Sequence, residues 1–93
     1  MKIAKIKHVE DCFDGSFIKE IAFEQVITKE LILYLGSDGK LQYFETFARP
    51  FFKFVKQGKY ECKGVEGNQA IRIILKNNPE QSLAEFIEFI DKF

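Results

Sequence analysis

The chain contains no tryptophan, one histidine, one methionine, two cysteines and two prolines among its 93 residues. It has no surplus of charge either, since 14 Lys and Arg meet 14 Asp and Glu. Each shortage excludes something. Two cysteines are too few for a disulfide-built scaffold. A net charge of zero and a pI of 6.6 disfavour a globally basic nucleic-acid module, because counter-ion release rewards a surplus of cations. No apolar run approaches the ~20 residues of a membrane helix. The longest, residues 31–35, has five, so no membrane span is expected. Residues 1–8 alternate charged with apolar side chains and lack the unbroken apolar stretch of a signal peptide. A cytoplasmic protein with free thiols is the resulting expectation.

Apolar surface, by contrast, is plentiful. The chain is 46% hydrophobic, and 11 of its 14 aromatic residues are Phe. That is too much to leave unburied, which excludes disorder. The length suits one domain over residues 1–93. No repeat, low-complexity stretch or Pro/Ser-rich linker divides it.

Hydrophobic periodicity sets out the elements. Residues 2–8 alternate as a strand, with Lys5 and Lys7 on one side and Ala4, Ile6 and His8 on the other. Residues 9–15 read as a polar loop ending in the Asp14-Gly15 turn signal, and 16–24 as a second strand in which Lys19 breaks the apolar side. Residues 28–36 alternate like a strand but also carry Thr28 as an N-cap, Glu30 in a first turn and Gly36 as a stop, so a short helix is predicted. Strands follow at 41–47, 51–56, 59–64 and 69–76, with Arg49-Pro50 interrupting and turns at Gln57-Gly58 and around Gly67. A C-terminal helix is marked by Asn78 as N-cap and Pro79 at the first position, with Gln81 placed for a capping box. Its apolar stripe is Leu83, Phe86, Ile87, Ile90 and Phe93, widened by Phe89. The sum is an α+β domain. It has a mostly antiparallel sheet of about six short strands, a short middle helix and a long amphipathic helix packed on one face.

The zero net charge is a cancellation along the chain. Residues 1–9 carry +3, residues 10–30 carry −4, residues 40–63 carry +4 and residues 77–93 carry −3. The positive block also holds the densest Phe cluster. Sheets that bind single-stranded nucleic acid combine cations for the phosphates with exposed rings for the bases. The plainer alternative puts those Phe side chains in the core and the lysines in solvent. Which rings between 44 and 54 are exposed distinguishes the two.

Other constellations are weaker. His8, Cys12 and Cys62 are the weak metal candidates, because imidazole and thiolate are zinc ligands. They lack the paired short spacings of a structural site, so no metal is expected. A thiol–imidazole pair from the same residues would be the one route to covalent catalysis. It needs an orienting third group and a pocket, which a chain this short hardly provides, so neither enzymatic activity nor a cofactor is expected. Residues 64–67 match a G-x-x-G string, yet Glu66 makes it a hairpin turn rather than a phosphate clamp.

Residues 51–55 carry apolar groups on both faces of their strand. A second buried face implies either the middle helix lying above it or a partner subunit. The leading expectation is therefore a small non-catalytic interaction domain that binds a protein partner or a second copy of itself as a homodimer. Single-stranded nucleic acid, bound by the strands around residues 44–63, is the second. Both use the same candidate residues: Arg49, Phe51, Lys53, Lys56, Lys59, Tyr60 and Lys63.

Overall fold

A computed structural model describes residues 1–11, 17–76 and 78–93. Its strands are β1 (Ile3–Asp11), β2 (Phe17–Phe23), β3 (Lys40–Phe44), β4 (Phe51–Lys56), β5 (Tyr60–Val65) and β6 (Ala70–Leu75). Its helices are α1 (Lys29–Gly36) and α2 (Pro79–Asp91). The strands form one antiparallel sheet in the order β1-β2-β6-β5-β4-β3, which is the predicted α+β architecture.

Strand alternation selects the core. Ile21 and Phe23 of β2, Ile71, Ile73 and Leu75 of β6, Tyr60 and Cys62 of β5, and Phe52 and Phe54 of β4 are all buried on one face. Leu31, Ile32 and Leu35 of α1 close over that face together with Phe86 and Ile90 of α2. Gly64 in β5 leaves the space that Phe52 fills. A Cβ there would come within 2.8 Å of the Phe52 ring and 2.9 Å of Ile71.

Local signals explain the joints. Thr28 caps α1, its hydroxyl oxygen accepting the Leu31 amide at 3.2 Å. The β4–β5 and β5–β6 turns each place glycine at the third position, Gly58 at φ 77° and Gly67 at φ 90°, a region that only glycine enters without strain. α1 and α2 are joined by Tyr34. Its hydroxyl donates to the Phe89 carbonyl at 2.6 Å, and its ring stacks on Phe89 at 4.5 Å.

Three expectations are corrected and one of two alternatives is removed. The first strand runs on to Asp11 instead of ending at His8, accommodated by register shifts between Ile3 and Lys5 and between His8 and Glu10. The strand expected over 41–47 stops at Phe44, and residues 45–50, including Arg49-Pro50, are the loop of the β3–β4 hairpin rather than a break within a strand. Asn78 adopts a left-handed conformation (φ 48°) and makes no side-chain cap. Its carbonyl accepts the Ser82 amide at 2.9 Å, the ordinary first bond of the helix, and its side chain accepts neither of the two amides before that. Finally, α1 lies against β3 and β4 on the same face as α2, so it does not cover the second face of the sheet. The turn read at Asp14-Gly15 lies outside the described residues.

Candidate functional site

The uncovered face carries the other half of each strand's alternation. Register places Lys7, Glu20, Arg72, Lys63, Lys53 and Gln42 opposite one another in one row that crosses all six strands. Neighbouring strands lie ~4.8 Å apart, so Arg72, Lys63 and Lys53 bring three cations within a span of about 10 Å. Like charges directly opposite each other are destabilising. Even so, among the described residues none of the three makes an ion pair. A row of this kind raises the local positive potential despite the chain's zero net charge.

Beside the cations lies an aromatic cluster. Phe44 and Phe51 are cross-strand partners, stacked at 4.5 Å with 21° between their planes. Phe47, from the β3–β4 loop, packs against Phe51 at 5.1 Å. The three rings are 38%, 37% and 55% exposed for Phe44, Phe51 and Phe47. Phe51 stands two residues before Lys53 on the same strand face, about 7 Å along the strand. Together the two features line a groove of about 680 Å³ that includes Glu20, Phe44, Phe51, Lys53, Lys63 and Arg72.

Two contacts hold the aromatic end in place. Arg49 Nη2 donates to Asn68 Oδ1 at 2.6 Å, tying the β3–β4 loop to the β5–β6 turn. The Tyr43 hydroxyl donates to the Glu66 carboxylate across the same gap. That hydrogen bond, with a smaller contribution from burial, pushes the Tyr43 phenol up to about 12.

The structure divides the seven sequence-derived residues. Phe51, Lys53 and Lys63 stand on the open face, and Arg49 braces its aromatic end. Lys56 and Lys59 turn to the helix side, where Lys56 pairs with Asp38 at 2.8 Å and Lys59 with Glu85 at 2.8 Å. The hydrogen bond from Lys59 holds the Glu85 carboxyl below its usual range. Tyr60 is in the core, 1% exposed, with a hydroxyl that has no hydrogen-bond partner among the described residues. Arg72, Glu20 and Phe44 were not among the seven. Arg72 faces away from Ile71 and Ile73 by simple alternation, so the signal was there. Its company with Lys63 depended on pairing β6 with β5.

His8 and Cys62 do not come together. They lie in the row His8, Lys19, Ile73, Cys62 on the helix-side face, three strands and about 14 Å apart. Cys62 is a fully buried thiol, and burial pushes its pKa up, away from the reactive thiolate. Cys12 lies outside the described residues. Among the described residues no helix is long and apolar enough to cross a membrane. The open face can thus supply positive charge, apolar ring surface and the Glu20 carboxylate to a ligand; Glu61, on the same face, is paired with Lys76. Neither a family model, nor a curated protein, nor a solved structure matches this chain.

Proposed function

We propose that this domain is a binding module whose ligand is a single strand of nucleic acid laid on the open face of the sheet. The observation that supports the reading is the Arg72–Lys63–Lys53 row without anionic partners, set beside the exposed Phe44, Phe47 and Phe51. Cations follow the phosphates of a single strand, and exposed rings take up its bases, each stack contributing roughly 1–3 kcal/mol. The exposed rings favour this reading over a core-only role for the Phe cluster, and the cation row beside them favours it over the leading expectation from the sequence, a protein or self-association surface. The reading requires no catalysis and no cofactor. A cytoplasmic location agrees with it, since Cys62 is kept as a buried thiol.

Fluorescence anisotropy with labelled RNA and DNA oligonucleotides of mixed sequence tests the proposal. For three phosphates, log K should fall against log salt with a slope of about −2. Replacing Lys53 and Lys63 together by Glu should weaken binding about tenfold or more, whereas Lys92→Glu, at the exposed end of α2, should leave it unchanged. Equal affinity in the double variant, or no binding at low salt, would overturn the proposal.

One observation keeps a protein partner in view. Phe44, Phe47 and Phe51 cover part of each other's faces, as an apolar anchor for a protein also does. Binding of a second copy would then be concentration-dependent and nearly indifferent to salt, which light scattering would detect.

A further inference from the structure

We infer that Glu20 terminates the site, so that the open face holds about three phosphates running across the strands from Lys53 to Arg72 and no further; the inference rests on the nucleic-acid reading. From β1 to β3 the central row reads Lys7, Glu20, Arg72, Lys63, Lys53, Gln42. Its charges are thus one positive, one negative, three positive and one neutral. Lys7 would extend the cationic track by one more strand beyond β2 if nothing stood between. Glu20 stands there, half-buried and lining the groove. It has Lys7 on one side and Arg72 on the other, yet among the described residues it forms an ion pair with neither. Its negative charge therefore faces the groove without a direct ion pair, although cations stand opposite it on both sides.

A phosphate held by Arg72 has this carboxylate one strand away, at ~4.8 Å in the backbone. The next phosphate along the same line would lie over the carboxylate itself and be repelled. Displacement of the chain toward the neighbouring rows meets no cation on β2 or β6, where the residues flanking Glu20 and Arg72 on the open face are Ala22, Ala70, Ile18 and Ile74; the nearest, Lys5 opposite Ala22, stands on β1 beyond Glu20. At the opposite end Gln42 lies on the edge strand β3 and contributes an uncharged amide. The track is closed by charge at one end and by the edge of the sheet at the other.

A length series of oligonucleotides, measured as a function of salt, tests this. The wild-type protein should gain affinity steeply up to about four nucleotides, at the short end of single-strand sites, and little beyond. Its salt slope should stay near −2 for longer strands. Glu20→Gln should join Lys7 to the track. The gain should then continue for one or two further nucleotides, and the slope should steepen to about −2.8, as four phosphates require. Short oligonucleotides, which never reach β2, should gain only the modest affinity that follows from losing a negative charge one strand from Arg72, and should keep the wild-type salt slope. Adding Lys7→Gln to Glu20→Gln should restore the wild-type slope, and Glu20→Asp, which keeps the charge, should retain the wild-type length limit. The inference is overturned if Glu20→Gln leaves both the length limit and the slope unchanged, or strengthens binding equally at every length. If the wild-type protein binds no oligonucleotide, the underlying reading fails and this one with it. If binding depends on Lys63 but ignores Glu20, only the terminus is lost.

Discussion

Lys63 has Arg72 on one side and Lys53 on the other, with no carboxylate within ion-pair distance among the described residues. Each cross-strand pair of like charges costs a few tenths of a kcal/mol, up to about 1. Lys63→Thr removes both repulsions and inserts a residue that favours strands. It should raise the free energy of unfolding by about 0.5 kcal/mol in urea titration while weakening oligonucleotide binding. A variant that is less stable, or more stable with unchanged binding, would separate the cations from the proposed role. The expected outcome is the pattern of a surface kept for function at the expense of stability. Part of it was legible in the sequence, because Lys53 between Phe52 and Phe54 already implies a lysine on the face opposite to two buried rings. The same count excludes Lys56, which shares the parity of Phe52 and Phe54, whereas the face of Tyr60 is set by its pairing opposite Lys56. Glu20 and Arg72 were illegible as site residues. They are separated from Lys53 by long stretches of chain, and only the register of four strands brings them into one row.

At the scale of elements, what could be read were the pieces whose signals are local. α2 declared itself by Pro79 and a stripe at spacings of three and four, and the β5–β6 hairpin by Gly67 between two alternating runs. α1 was legible as a helix from Thr28, but nothing within residues 28–36 says which face of a distant sheet it will cover. That choice is made by long-range contacts, Tyr34 with Phe89 above all. A partly buried hydrogen bond of this kind contributes about 1 kcal/mol. Tyr34→Phe, which keeps the stacked ring and deletes the hydroxyl, should lower stability by that amount in thermal or urea unfolding. Oligonucleotide affinity should be untouched, since both helices lie on the far side of the sheet. Reduced binding in this variant would mean that the helix layer shapes the open face.

For the molecule as a whole, three groups are held in their neutral forms. Burial raises the pKa of Cys62 and Tyr60 above their ordinary values of 9.0 and 10.0, and the Glu66 hydrogen bond raises Tyr43 from 10.0 to about 12. The unfolded chain ionises these groups at the ordinary values, so it releases protons first as pH rises. Their contribution to stability is therefore complete below about pH 9 and is lost progressively above it. Denaturation midpoints measured from about pH 8 to about pH 12 should fall over that range. Tyr43→Phe should flatten the fall between pH 10 and about 12 without abolishing it, because Tyr60 and Cys62 remain. A midpoint that is level up to pH 11 would contradict the environments described for all three.

The strand order has a consequence in time as well as in space. β6 sits between β2 and β5, joining the β1–β2 hairpin to the β3–β4–β5 meander, although it is the last strand of the chain. Until residues 70–75 are available, the two portions have no common ladder and share no covered face. The early hairpin must wait, with its inner edge unpaired, while about fifty residues pass before its partner arrives, and closure over such a separation is slow. Arg72 arrives with that same strand. The event that completes the sheet therefore also assembles the cationic row, and a chain that has not finished folding lacks the surface proposed to bind.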